Sequence, residues 1–415
     1  MAIIRPFRAL RPREDLADKV AALPYDVMNS EEAREAVKGN PYSFLHVDKA
    51  EIDLPVGTGL YDRAVYEKAR ENLYGFADKG VFIREDRNAL YIYRLIMDGY
   101  AQTGLVACTS IDDYLNNVIK KHEFTRADKE EDRIRHVDTT NAHTGPIFQT
   151  YVSKESITGI IEAYKAENKP CYDFVSDDGI THTVWTIRDD ETIGKLADEF
   201  SSVESLYIAD GHHRAASAVR VGVMRRSAKP DYTGEEEFNY FLSVLFPSNE
   251  LRIMDYNRVV KDLNGMSEEE FIARVSENFE VTKFEGEGQL RPMRKHTFGM
   301  FLGGSWYELE AKAGTYDESD PQKRLDVAIM QNNLLHPILG IEDPRTDKRI
   351  DFVGGIRGLD ELERRVGLDM KVAFSMFPTT IMDLIDIADA GEVMPPKSTW
   401  FEPKLRSGLF VHTLD

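Results

Sequence analysis

Apolar residues recur at helical spacing in several stretches. Tyr61, Val65, Ala69, Leu73 and Phe76 predict a helix from Tyr61 to Lys79, closed by Gly80. Ile157–Lys169, Asp190–Phe200, Gln322–Leu335 and Thr380–Ala390 read the same way. Denser apolar runs predict strands at Leu90–Leu95, Gln102–Cys108, Gly145–Val152, His182–Ile187, Asn239–Phe246, Phe298–Leu302, Trp306–Leu309 and Val372–Phe377. Gly99 and the pair Gly303-Gly304 separate neighbouring strands and predict antiparallel hairpins. Ser267 with Glu270 forms a capping box for a following helix. Hairpins mixed with βα units define an α+β, or mixed α/β, fold class. The pattern suggests three regions: a mainly helical 1–85, a central 86–250, and an α+β region 251–415.

Composition narrows the function classes. The chain has 415 residues, 42% hydrophobic and 30% charged, as expected of an ordered globular protein. A formal net charge of −20 argues against a general nucleic-acid binder, which needs a basic face. It leaves room for a local basic pocket. No apolar run is long enough for a membrane span, and the first residues lack the apolar stretch of a secretion signal, so a cytoplasmic location is expected. Cys108 and Cys171 are too few for a disulfide framework or a cysteine metal site.

The densest chemistry lies in Leu206–Ala218. An apolar strand, Leu206-Tyr207-Ile208, meets the turn Asp210-Gly211. A helix of small residues is expected from Ala215. Strand, glycine turn and helix start aim free N–H groups at an anion. Asp210, His212, His213, Arg214 and Ser217 crowd the same place. The plainer alternative is a capped helix with a solvated polar end. Two other stretches carry candidates. His122-Glu123 falls just before a charged helix, where a carboxylate suits a general base. Within that helix Lys129, Arg133 and His136 share a face. Met394-Pro-Pro-Lys-Ser-Thr399, continuing to Lys404 and Arg406, is a basic, proline-stiffened segment. Lys397, Ser398, Thr399 and Lys404 suit phosphate or carboxylate; the alternative is an ordinary C-terminal strand. No zinc-type spacing occurs, so Mg²⁺ shared between a carboxylate and a nucleotide is the easier metal reading.

These phrases also support a resemblance. Pro24-Tyr-Asp-Val27, Asn40-Pro-Tyr-Ser-Phe-Leu-His46, Lys121-His-Glu-Phe-Thr125, Ala209-Asp-Gly-His-His-Arg214 and Met394-Pro-Pro-Lys-Ser-Thr399 together resemble the domain-of-unknown-function family 1015 along essentially the whole chain. Residues 86–250 are similar in motif order to the ParB/sulfiredoxin-like fold. Within that fold, free serine kinases pair a His-Glu element with a later Asp-Gly-His-x-Arg element. That resemblance implies Glu123 as base, Asp210 on metal or proton, and Gly211–Arg214 on phosphate. His212 joins the catalytic set, and His122, His213, Ser217, Lys397, Ser398, Thr399 and Lys404 join the phosphate and substrate contacts. The separation of about 87 residues between the two elements, and the flanking regions, depart from those kinases. The expected activity is that of a phosphotransferase acting on a small hydroxylated metabolite, free serine/phosphoserine among them, with ATP or ADP and Mg²⁺. A phosphatase on the same substrates and a non-catalytic nucleotide sensor are the alternatives. Neither a nucleic acid nor a membrane is an expected partner.

Overall fold

The strand-forming runs assemble into one large sheet in each of two units. The structure, a computed structural model, describes residues 1–415. One unit comprises Met1–Leu251 with Pro403–Asp415, the other Arg252–Glu402. The architecture is mixed α/β.

In the first unit nine strands form the sheet: β1 (Ile4–Arg5), β2 (Leu90–Met97), β3 (Tyr100–Ser110), β4 (Ile119–Lys120), β5 (Ile147–Tyr151), β6 (Tyr172–Val175), β7 (Thr181–Ile187), β8 (Leu206–Asp210) and β9 (Tyr240–Pro247). Their order is β4-β8-β5-β9-β3-β2-β7-β6, with β1 beside β3. β2 and β3 are the expected hairpin. Asp98 and Gly99 turn it, both in left-handed backbone (φ 51° and 76°), which matches the twist of the strands. The longer helices of the unit are α1 (Arg63–Asp78), α2 (Ala127–Thr140), α3 (Glu155–Glu167), α4 (Asp190–Phe200) and α5 (His212–Ala228). Ile157 and Ile161 of α3, Leu196 and Phe200 of α4, and Ala215 and Ala218 of α5 bury the sheet's apolar face. Leu73 and Phe76 of α1 share a second core with Leu10, Phe44, Phe82 and Val411, so the N-terminal helical region and the last residues pack in one cluster.

The small residues of α5 allow close packing. A Cβ on Gly222 would lie 2.5 Å from the Phe238 carbonyl oxygen and 2.7 Å from Ile111 Cδ1. Alanine at this helical position gains roughly 1 kcal/mol of propensity. Forcing backbone apart costs about 1–3 kcal/mol, and a carbonyl oxygen cannot rotate away as a side chain can. Gly222→Ala is expected to lower the thermal unfolding midpoint of this unit; an unchanged or higher midpoint in a melting experiment contradicts the packing.

In the second unit all pairings are antiparallel: β10 (Tyr256–Val260), β11 (Phe279–Lys283), β12 (Thr297–Leu302), β13 (Ser305–Ala311), β14 (Ile350–Gly354) and β15 (Val372–Met376), in the order β11-β13-β12-β15-β10-β14. Helix α6 (Glu268–Asn278) starts with the expected capping box at Ser267 and Glu270. The helix expected over Gln322–Leu335 begins later, as α7 (Asp326–Met330), and widens into a π turn at Gln331–Leu335. Two flanking bonds tie that turn sideways: Asn278 Nδ2 donates to the Asn333 carbonyl, and Asn333 Nδ2 to the Thr315 carbonyl.

Candidate functional site

Parallel pairing of β4 with β8 closes the gap of about 87 residues between the two sequence elements. Leu206 lies opposite Ile119 and Tyr207 opposite Lys120. The chain therefore leaves both strands at the same end of the sheet, with His122-Glu123 following one and Asp210-Gly211 the other. Between Ile208 and Asp210 the pairing of β8 with β5 shifts register, a bulge that re-aims the end of β8. Gly211 then turns in left-handed backbone (φ 93°), and α5 starts directly at His212, ahead of the expected Ala215. A residue other than glycine there would be strained, and its Cβ would sit 3.1 Å from the Arg214 guanidinium carbon.

The two histidines meet edge to face, ring centroids 4.5 Å apart. Both are buried. Burial pushes His122 down to about 4, against the pull of Asp210 and the Ile208 carbonyl. Burial, and then His122 itself, hold His212 well below the usual histidine range. Both rings are neutral near pH 7. Glu123 Oε2 lies 3.5 Å from His212 Nδ1, and the Glu123 side chain is 61% exposed. A carboxylate only accepts, so the proton of neutral His212 belongs on Nδ1; the tautomer is assigned from this partner. His212 Nε2 is accordingly a buried acceptor with no partner.

Asp210 faces the opposite charges. Its Oδ2 accepts from Lys404 Nζ at 3.2 Å and lies 3.9 Å from Arg214 Nη2, while Oδ1 accepts from the Gly211 N–H at 2.9 Å. Burial would raise this carboxyl, but Lys404 and Arg214 outweigh it and hold Asp210 at about 2. Arg214 Nη1 donates to the Pro146 carbonyl, and its buried Nε has no partner. His213 Nε2 accepts from the Arg126 N–H at 3.0 Å, which fixes the segment after Glu123 onto α5. Ser217 Oγ donates back to the His213 carbonyl at 2.6 Å, so its hydroxyl is used inside the helix.

Glu123, His122, Asp210, Gly211, His212, His213 and Arg214 thus gather at one sheet end, and Lys404 joins them. The basic C-terminal segment is divided between the units. Lys397, Ser398 and Thr399 belong to the second, where Arg258 Nη2 donates to the Lys397 carbonyl at 3.0 Å and Thr379 Oγ1 to the Ser398 carbonyl at 2.8 Å. Lys397 takes left-handed backbone (φ 60°).

The donor set does not fit a protein-held Mg²⁺. Asp210 is already paired with two cations, and no group of three or more His, Cys, Asp or Glu side chains has metal-holding geometry.

Sequence reasoning passed over the cleft that continues from Arg214. Tyr25, Asp48, Arg133, His143, Thr144 and Ser407 line it. Tyr25 stands inside the phrase Pro24-Tyr-Asp-Val27, and Arg133 on the helix face shared with His136, so both carried a signal. Asp48 and His143 carried none.

The fold and site define a mixed α/β protein whose ionisable residues collect where two parallel strands end at a glycine-initiated helix. The chain belongs to the DUF1015 family, described as a protein of unknown function, whose profile matches residues 4–328. No curated protein sequence matches it. Among solved structures, a free serine kinase in complex with AMP is 15% identical, with a TM-score of 0.36, covering 77% of this chain and 92% of that one. A conserved hypothetical protein from Pyrococcus furiosus is 14% identical at a TM-score of 0.35, covering 74% and 95%. A C-terminally truncated SbnI from Staphylococcus aureus is 10% identical at a TM-score of 0.38, covering 74% and 87%.

Proposed function

We propose that this protein is a phosphotransferase that moves a phosphoryl group from a nucleotide to the hydroxyl of a small metabolite, serine being one candidate. The observation that carries the reading is the Glu123–His212 pair set at the N-terminus of α5, beside Arg214 and Lys404. The leading N–H groups of α5 and the Arg214 and Lys404 cations suit the phosphates. Glu123, exposed and held on one side by His212, suits the acceptor. In the transfer the acceptor O–H gives its proton to Glu123, and its oxygen bonds to the terminal phosphorus. The bridging P–O bond breaks, and its electron pair stays on the departing nucleoside diphosphate. Asp210, ionised at any working pH, is a poor proton carrier; it keeps Lys404 and Arg214 in place. ATP would be the donor and ADP the product.

The test mixes the protein with ATP, Mg²⁺ as the nucleotide's counter-ion, and a panel of small alcohols headed by L-serine. Phosphorus NMR follows the products. A new phosphate monoester appearing with ADP in equal amount is the expected result. Inorganic phosphate released with ADP would make it a nucleoside triphosphatase, inorganic phosphate released from phosphoserine supplied without nucleotide a phosphatase, and nucleotide binding without turnover a sensor. Neither binding nor turnover removes the reading.

A further inference from the structure

The cleft on the far side of Arg214 has its own chemistry. Tyr25, Asp48, Arg133, His143, Thr144 and Arg214 are among its walls. Arg133 spends Nε and Nη2 on Asp132, at 3.0 and 2.9 Å, which leaves its Nη1 edge for the cleft. Its guanidinium lies 4.1 Å from the centre of the Tyr25 ring, which fixes the plane of the fork. Burial, against the pull of Arg133, pushes the Tyr25 hydroxyl up to about 12, so it stays protonated. Asp48 is the carboxylate of the cleft, and it is occupied: it accepts from Thr144 Oγ1 at 2.8 Å and from the Ser407 side chain. The arginines have spare donors; Arg214 Nε is buried with none of its bonding used.

His143 adds a directional element. A chain of three side chains leads to it. Glu237 Oε2 is 2.8 Å from His412 Nε2, and His412 Nδ1 is 3.1 Å from His143 Nδ1. Glu237 as a carboxylate only accepts, so the Nε2 proton is on His412. The bond to His412 uses Nδ1 of His143 and leaves its Nε2 for the cleft. His143 Nε2 is buried and has no partner. A ligand hydroxyl, which can donate or accept, would complete that nitrogen.

We infer that this cleft is a binding site for a compact oxyanion that also carries a hydroxyl, the oxyanion held by Arg133 and Arg214 and the hydroxyl paired with His143 Nε2. A hydroxycarboxylate and protonated inorganic phosphate both have this chemistry. Acetate has the charge without the hydroxyl. Neither Glu123 nor His212 lines the cleft, so the inference does not need the proposed transfer step, although Arg214 is shared with the phosphate contacts proposed above.

The test titrates glycolate, inorganic phosphate and acetate into the full-length protein labelled with ¹⁵N-histidine, following thermal stability and the imidazole nitrogens. Glycolate or phosphate is expected to bind saturably and to move the Nε2 resonance of His143. Acetate should bind about tenfold more weakly than glycolate, the value of one hydrogen bond. A response to glycolate identifies a hydroxycarboxylate site, and a response to phosphate alone a phosphate site. Acetate binding as well as glycolate, a His143 resonance that never moves, phosphate that moves only His212, or no saturable binding by any probe each overturns the inference. Arg133→Gln, checked for folding by circular dichroism, should lose the binding; wild-type affinity in the folded variant also overturns it. If that variant does not fold, the wild-type titration decides. Glu123→Gln should leave the titration unchanged, which separates this site from the transfer site.

Discussion

Glu123→Gln should lower phosphoryl transfer by roughly 10²–10⁴-fold, the usual contribution of a positioned general base, while nucleotide affinity stays near wild type. The amide keeps the shape of the carboxylate and can still present its oxygen to His212 Nδ1, 3.5 Å away in the native protein. It cannot take the acceptor's proton. The side chain is mostly exposed, so the substitution leaves no buried group unpaired and should not change the melting temperature. Turnover measured on the purified variant, with nucleotide binding measured alongside, checks both halves. An unchanged rate removes Glu123 as the base. A loss of binding equal to the loss of rate would make it a ligand contact instead. His212→Phe probes the same pair from the buried side. There the ring's place is filled but Nδ1–H is gone, so turnover should fall while Glu123 remains.

Much of this arrangement was legible in the order of residues. The α1 stripe, the β2–β3 hairpin and the Ser267 capping box are local features, set by spacing within a few residues, and they form where the pattern puts them. Asp210–Arg214 could be read as a helix-start cluster because strand, glycine and helix are contiguous in sequence. Its partners depend on long-range pairing. That β4 runs parallel beside β8, and so brings Glu123 to His212, is a property of sheet order; no local periodicity encodes it. Lys404 reaches Asp210 because Pro403–Asp415 packs in the first unit, while Lys397–Thr399, a few residues earlier, fold into the second. Composition alone reads the whole segment as one basic loop. The Glu237–His412–His143 chain draws on three segments distant in sequence.

The buried histidines lead to an expected divergence between the two units as pH changes. In the first unit His122 is pushed down to about 4 by burial, against the attraction of Asp210. His182 is pushed down to about 3 by burial and by Arg406, with Asp178 pulling the other way. His136, His143 and His212 lie well below their ordinary range for the same first reason, burial. In the unfolded chain each would titrate at about 6.5. Between that value and the folded one, the unfolded chain binds more protons, so stability falls as pH falls. Full expression is worth roughly 3 kcal/mol for His122 and roughly 5 for His182. Asp48, Asp113 and Glu250, raised by burial, and His46, raised by Asp53, oppose this trend against the lowered histidines. In the second unit Asp326 has the opposite sign, working against His296, which burial lowers. Burial raises Asp326 to about 7; the His296 N–H lowers it, Asp383 raises it, and Lys295 and Arg258 lower it. Its Oδ2 is buried without a partner. The folded unit holds a proton there that the unfolded chain has lost above about 4. That unit therefore loses up to about 4 kcal/mol as pH rises from about 4 to 7. Hydrogen exchange, corrected for intrinsic rates and resolved by segment, should show protection of the sheet β3–β9 weakening from pH 6.5 to 4.5 while protection of β10–β15 strengthens. Asp326→Asn keeps the shape without the titration, so it should flatten the second profile and leave the first alone. Parallel pH profiles in the two units, or an unaltered profile in Asp326→Asn, would show that other groups govern their acid response.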